Sequence, residues 1–342
     1  MNPMPNQSEK FNLSAAAQRP IHGGALQKAI TEFGIAAEHW IDLSTGISPY
    51  PWPIPIIPQE IWQTLPDTGD DLIVKAADYY GCRTSDILPI SGSQFAIEQI
   101  PKAFNPSTVA MPVWGYAEHS YQWKLAGHKI FWYNSYDELL SLVETGQVKR
   151  AVVINPNNPS TEFFTQLQLQ NIQQVIKNNN GQLLVDEAFA DSSMEHSLCN
   201  LLAEKCCPPE LIILRSVGKF FGLAGIRLGF VIAHSSFIQS FEQQLAPWAV
   251  NNIARFVGIN ALSDTTWQQQ QRQRLTEQSS SWQAHLELLL PDFDWHRADC
   301  FITGFASKKH CEALYSKLGS CAVLVRLLCS AREGLQHNMQ DG

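Results

Sequence analysis

The chain has 342 residues, 45% of them hydrophobic and 16% charged, with a formal net charge of −8. This composition excludes a wholly disordered chain and leaves enough apolar material for one large or two unequal domains. Twenty-four basic residues against 32 acidic ones, with no basic stripe, argue against a nucleic-acid partner.

The first fifteen residues are polar and read as disordered. No apolar core of signal-peptide length follows them, and no uninterrupted apolar run approaches the ~20 residues of a membrane span. The expected location is the cytoplasm. The eight cysteines (82, 199, 206, 207, 300, 311, 321 and 329) form no CxxC pair and no zinc-like spacing. All eight read as reduced structural thiols, and no metal site is expected.

From about residue 70 to 240, short apolar runs alternate with helical patterns, the signature of a layered α/β sheet. VKAADYYG reads as a helix end closed by Gly81, and ILPISGSQFAIEQIPKAF as a strand, a turn and a helix. STVAMPV, HKIFWY, RAVVINP, GQLLVDEAF, ELIILRS and LGFVIA follow as candidate strands, the purely apolar ones suited to a sheet covered on both faces. From about 240 to 290 the sequence turns Gln-rich with the spacing of a long amphipathic helix, its glutamines on a solvated face. Residues 291 to 342 read as a small α+β unit with FITGFAS and CAVLVRLL as strands.

Open α/β sheets bind ligands at the carboxyl ends of their strands, and several strand ends here carry unusual residues. ISGSQFAIEQ puts Ser91, Gly92, Ser93 and Gln94 at a helix start, where free N–H groups attract a phosphate, although such residues are also ordinary caps. VINPNNPS ends a strand with a rigid turn dense in amides, Asn155, Asn157 and Asn158. LLVDEAFAD ends another with Asp186, a carboxylate that burial in a parallel sheet obliges to find a partner. SVGKFFGLAGIRLG then supplies Ser216, Lys219 and Arg227, the lysine set among glycines and aromatics that shield it and lower its pKa. A shielded lysine, an aspartate for a pyridine nitrogen and a phosphate cup are together the requirements of pyridoxal 5'-phosphate.

The series NPNNPS, DEAFAD and SVGKFFGLAGIRLG resembles the fold-type-I pyridoxal-phosphate enzymes of the class I/II aminotransferase family, over nearly the whole chain from HGG at 22 to LVR at 326. The resemblance implies a three-layer α/β/α large domain with a mostly parallel sheet, plus a small α+β domain. The implied division is an arm and part of the small domain at 1–48, the large cofactor-binding domain at 49–245 and the small domain at 246–342. Carried over by position, Lys219 matches the lysine that bonds the cofactor, Asp186 the pyridine-nitrogen partner and Asn158 the ring-hydroxyl partner. Tyr116 matches the aromatic stacked on the ring, with Trp114 as a rival; Ser93, Gln94, Ser216 and Arg227 match the phosphate cup. His22, Gly23, Gly46, Asn158 and Arg326 fall at substrate-binding positions. His39, His119, His196 and His234 read as structural.

HGG and WIDLSTGISPYPWP are similar to the family branch that acts on a phosphorylated amino acid. That implies decarboxylation of L-threonine-O-3-phosphate to (R)-1-amino-2-propanol phosphate in cobalamin biosynthesis, with Lys219 returning the proton to Cα. Phe189 and Leu65, where the aminotransferases usually have tyrosines, favour the decarboxylase. Two alternatives stay open: a histidinol-phosphate-type aminotransferase, and a cofactor-binding protein with weakened catalysis. The latter follows from the tail EGLQHNMQDG, which has Gln336 where relatives place a carboxylate-gripping arginine; Arg332 lies four residues earlier. A homodimer is implied by analogy.

Overall fold

The computed structural model describes residues 20, 22–202 and 205–328. The first fifteen residues, Cys329, Arg332 and Gln336 lie outside the described residues.

In chain order the elements are α1 (Leu26–Phe33), β1 (Ile41–Asp42), α2 (Gln59–Gln63), α3 (Leu72–Tyr80), β2 (Ile87–Ile90), α4 (Ser93–Gln99), β3 (Thr108–Pro112), α5 (Glu118–Leu125), β4 (Lys129–Tyr133), α6 (Tyr136–Glu144) and β5 (Arg150–Ile154). They continue with α7 (Gln166–Asn178), β6 (Gln182–Asp186), β7 (Leu211–Ser216), β8 (Gly229–Ala233), α8 (Ser235–Glu242), α9 (Asn252–Ser263), α10 (Thr265–Leu289), β9 (Asp294–Ala298), β10 (Phe301–Phe305), α11 (Lys308–Ser320) and β11 (Val323–Leu324).

Seven strands form the main sheet in the order β2-β8-β7-β6-β5-β3-β4. Pairing is parallel from β7 through β6, β5 and β3 to β4, and β8 alone runs antiparallel to both its neighbours. The mostly parallel sheet expected from the sequence is therefore present. Its strands alternate between two apolar cores. Val153, Val185 and Ile213 point to the face covered by α3, α6, α7 and α9, whereas Val152, Leu184 and Ile212 point to the face covered by α4, α5 and α8. Such double coverage explains why LIILRS carries no polar alternation: all six residues of β7 are buried.

Local signals set the boundaries. Gly81 closes α3 in the left-handed conformation (φ 68°), its N–H donating to Ala77. Thr165 and Gln168 form a reciprocal capping box at the start of α7.

The Gln-rich stretch departs from expectation in two ways. The pattern from 240 onward is broken into α8, α9 and α10, the last break falling at Asp264, whose carboxylate caps α10 by accepting from Trp267 N–H and also accepts from the Trp52 indole (3.1 Å). Two glutamines are also not on a solvated face. Gln268 and Gln271 are buried, and Gln271 Nε2 donates to Ser48 Oγ (2.8 Å) and Tyr50 O (3.0 Å), with Phe220 O at 3.3 Å. A glutamine carries two donors and can therefore staple two chain segments that a leucine at the same place would only touch.

The terminal unit contains one more strand than expected. β9 pairs antiparallel with β10, while CAVLVRLL contributes only the short β11, which pairs in parallel with β1.

Candidate active site

The carboxyl ends of β2, β3, β5, β6 and β7 lie on one edge of the sheet. The reversed β8 brings its amino end to that same edge, so Arg227, just before β8, returns to it. ISGSQ, GYAEH, NPNNPS, DEAFAD and SVGKFF each follow a strand here, which is why residues as far apart as Ser93 and Lys219 meet.

Asp186 is the last residue of β6 and is 4% exposed. Its Oδ2 accepts from Nε2 of His119 at 2.8 Å, and its Oδ1 accepts from the Ala188 N–H at 3.0 Å. Both oxygens are thus engaged, which fixes the orientation of the buried carboxyl group. His119, 1% exposed, was expected to be merely structural; it is instead the side chain that holds Asp186. The signal was present in GYAEH, where one turn separates residues 116 and 119 and puts Tyr116 and His119 on one side of the helix start. Their rings meet edge-on, centroids 6.3 Å apart.

Lys219 follows β7 by three residues. Burial pushes its ammonium below the ordinary lysine value, only partly opposed by the negative charge of Asp186. Its Nζ lies 5.2 Å from the centre of the Phe189 ring. The backbone around it is fastened: Ser48 N–H donates to Lys219 O (3.0 Å) and Trp52 N–H to Phe221 O (2.8 Å). The buried Gln271 ties the same 48–50 segment to Phe220 O.

Beside Arg227 the backbone is shaped by close approaches. A methyl group on Gly92, which has φ +81°, would come within 2.8 Å of the Arg227 guanidinium, and one on Gly229 within 2.7 Å of the Ser93 nitrogen. Only glycine leaves the backbone this near. Arg227 is itself left-handed at φ 55°, and Ser216 pairs with Gly229 across β7 and β8. Gln94 sits one residue further along α4 than Ser93, but its side chain is engaged elsewhere. It accepts from the Tyr116 hydroxyl (3.0 Å) and donates to Glu98 (2.9 Å), with Glu118 Oε2 at 3.3 Å.

The opposite side is closed by residues the sequence did not single out. Phe301, at the start of β10, packs on Phe189 with ring centres 5.0 Å apart. Thr303 donates to Pro159 O (2.7 Å), tying that strand to the NPNNPS turn. Cys300 lies within electrostatic reach of Lys219, and burial pushes its thiol up to about 12. Gly46 lies against this wall: a methyl there would strike the Phe189 ring at 2.6 Å and approach the Asn158 amide at 3.5 Å. Leu65, by contrast, is 64% exposed.

His22, Gly23 and Arg326 complete the rim. His22 Nε2 is 2.7 Å from Glu118 Oε1, and its ring centre is 5.4 Å from that of Tyr116. Gly23 has no room for a side chain, since its Cβ would be 2.0 Å from Ser44 O. The Arg326 charge acts on both Lys219 and Tyr116. Of the two aromatics left open by the sequence, Tyr116 is the one among these groups. Trp114 lines a separate small recess with Pro112, Tyr133 and Phe163.

Behind the site, Arg215 is fully buried between Glu187 Oε2 (2.6 Å) and Asp191 Oδ1 (2.8 Å), with its guanidinium 4.7 Å from the Tyr80 ring centre. This buried ion network fixes the DEAFAD segment from below.

A model of the aminotransferase class I and II family matches residues 39–322. The chain belongs to that family. Threonine-phosphate decarboxylase of Pseudomonas aeruginosa is 37% identical over 306 residues, which cover 89% of this chain and 88% of that protein. Threonine-phosphate decarboxylase of a Sinorhizobium species is 39% identical over 240 residues, covering 68% and 69%. In fold, this family member is similar to the histidinol-phosphate aminotransferase of Sinorhizobium meliloti solved with pyridoxal 5'-phosphate. The TM-score is 0.76 at 17% identity, covering 94% of this chain and 90% of that one.

Proposed function

We propose that the chain is a pyridoxal-phosphate-dependent decarboxylase that converts L-threonine-O-3-phosphate to (R)-1-amino-2-propanol phosphate and CO2, the activity that the sequence resemblance associates with cobalamin synthesis. The cofactor reading is carried by one observation: a desolvated lysine and a doubly held buried aspartate share a sheet edge with a glycine-shaped cradle at Arg227. The substrate reading is supported by the 37% and 39% identities to threonine-phosphate decarboxylases.

In this reading Arg227, Ser216 and the N–H groups of Ser93 and Gln94 would hold the cofactor phosphate, Asp186 would partner the pyridine nitrogen, Asn158 the ring oxygen, and Tyr116 would stack on the ring. Bound there, the cofactor supplies an aldehyde for covalent attachment and a protonated ring that accepts the electron pair released when CO2 departs.

The protein's own contributions follow from its geometry. Asp186 is held in one orientation by His119 and the Ala188 N–H, one on each carboxylate oxygen. Lys219 has an amine whose proton is cheap to remove, since burial disfavours the ammonium. It would be the amine that bonds the cofactor and the group placed to deliver a proton to Cα. Phe189 and Phe301, with Gly46 packed against them, form an apolar wall beside the Lys219 amine that keeps water and hydroxyl groups away from it. His22, the Gly23 backbone and Arg326 receive the substrate phosphate.

A cytoplasmic homodimer completes the reading. Support for association comes from large apolar side chains left exposed near one another in sequence, Ile54 (50%), Ile56 (96%), Trp62 (61%) and Leu65 (64%). Among the described residues, no helix is long and apolar enough to cross a membrane.

The test is incubation of the cofactor-loaded protein with L-threonine-O-3-phosphate, without a keto acid, measuring CO2 and the amine. Release that disappears in Lys219→Ala supports the decarboxylase. Turnover that appears only when 2-oxoglutarate is added replaces it with an aminotransferase.

A further inference from the structure

The mechanism above leaves unused a carboxylate at the rim. Glu118 is 7% exposed, and both its oxygens are occupied: Oε1 by His22 Nε2 (2.7 Å), Oε2 by Gln122 (3.2 Å) and Gln94 (3.3 Å). Burial alone would raise its pKa, yet hydrogen bonds from Gln122, His22 and Gln94 outweigh it and hold the carboxyl below its ordinary value. A carboxyl held below its ordinary value has no proton to offer, and three neighbours already engage its two oxygens. Its position matters through what it holds.

What it holds is His22, a side chain 38% exposed as a whole, whose other ring nitrogen, Nδ1, is buried and finds no hydrogen-bond partner among the described residues. A buried polar atom without a partner is costly in a finished fold, so its presence at a site rim points to a ligand atom. A carboxylate 2.7 Å from Nε2 fixes the ring orientation and with it the direction in which Nδ1 points. A ring N–H is a donor suited to an anionic oxygen.

We propose that Glu118 is a positioning residue: by gripping His22 at Nε2 it aims the opposite nitrogen, Nδ1, at the phosphate of the substrate. This rests on the substrate reading above and adds to it the group that sets His22's orientation. The same carboxylate is linked through Gln94 to the Tyr116 hydroxyl. Phosphate recognition and the aromatic wall of the site thus share one network, and His22 leans on the Tyr116 ring itself.

Glu118→Leu removes both charge and acceptor; Glu118→Gln keeps an acceptor oxygen without the charge. In the holoenzyme, Glu118→Leu is expected to raise KM for L-threonine-O-3-phosphate by about tenfold or more while kcat changes little, with Glu118→Gln in between. The dissociation constant of inorganic phosphate, measured by calorimetry, should rise by the same factor. In a His22→Asn background, Glu118→Leu should add almost nothing, because a residue that acts through His22 has nothing left to hold. Urea midpoints report whether each variant is folded, and if Glu118→Leu unfolds, Glu118→Gln carries the comparison.

Equal phosphate affinity in wild type and Glu118→Gln and Glu118→Leu overturns the proposal, as does an undiminished effect of Glu118→Leu when His22 is already asparagine. A fall in kcat at constant KM also overturns it, by assigning Glu118 to Tyr116 instead. Should wild-type protein release no CO2 yet show the phosphate effect, the substrate reading fails while the role of Glu118 stands.

Discussion

Nε2 of His119 lies 2.8 Å from Oδ2 of Asp186, with both side chains almost wholly removed from solvent. Because the imidazole donates from Nε2, the aspartate meets the site with its charge already oriented and one oxygen fixed. Replacing the ring by phenylalanine keeps the volume but leaves a buried carboxylate short of one donor. A hydrogen bond to a charged group is worth about 1.5–3 kcal/mol. His119→Phe should therefore weaken pyridoxal-phosphate binding by at least about tenfold, read by equilibrium dialysis. His119→Gln, whose amide can donate to Asp186, should recover part of that loss. Equal affinity in all three proteins would show that Ala188 N–H alone suffices.

The depressed pKa of Lys219 makes a prediction about the cofactor-free chain. Burial disfavours the ammonium in the folded state, whereas the unfolded chain titrates near 10.5. Between the lowered folded value and 10.5 the unfolded state binds more protons, so stability rises with pH through that window and the penalty is full below it. Lys219→Met removes the penalty. Apo Lys219→Met should be more stable than apo wild type at neutral pH, and the difference should shrink as pH approaches 10.5. Urea unfolding at several pH values measures this; a constant difference would mean that the lysine reaches solvent.

Arg215 supplies a prediction about stability. It is buried between Glu187 and Asp191, and Glu187 also accepts from the Ser197 hydroxyl. Arg215→Leu strands two carboxylates in the core, and removing one partner of a buried ion pair typically costs about 3–5 kcal/mol. A lowered urea midpoint with unchanged slope is the expected result.

Gln271→Leu tests the staple between α10 and the 48–50 segment. Loss of its donors leaves Phe220 O short of a partner and Tyr50 O with only the Ser48 hydroxyl, at a cost of about 1–3 kcal/mol. Since Ser48 N–H also donates to Lys219 O, the variant should lose catalytic rate together with stability. Rate loss without stability loss would instead place the effect on Lys219 alone.

The large sheet was legible because its determinants are local. Apolar runs of strand length, Gly81 closing α3 and the amides after β5 each announce themselves within a few residues. The cluster of Asp186, Lys219, Asn158 and Arg227 was legible because each adjoins such a run, the first three after a strand and Arg227 before the reversed β8, and topology carries these ends to a common edge. What sequence did not reveal depends on distant partners. His119 acquires a role only from Asp186, 67 positions away. Gln271 looks like any surface glutamine until Ser48, 223 positions away, accepts from it. Cys300 and Phe301 reach Lys219 and Phe189 through a β9–β10 hairpin whose docking no local pattern encodes. The break at Asp264 was hidden because Asp is tolerated inside a helix pattern and its capping bonds are visible only in three dimensions.

The reversed direction of β8 has a further consequence, for how the chain tolerates change in length. A parallel successor to β7 would need a crossover back to the far edge, separating Lys219 from Arg227 by a whole helix. An antiparallel successor needs only the tight connection 217–228, so the amine and the guanidinium ride on a single short span anchored at both ends by β7 and β8. An added or deleted residue there would shift both groups at once relative to Asp186. Insertions are better accommodated at the opposite edge, for instance at Gly146, where the chain turns with nothing packed against it.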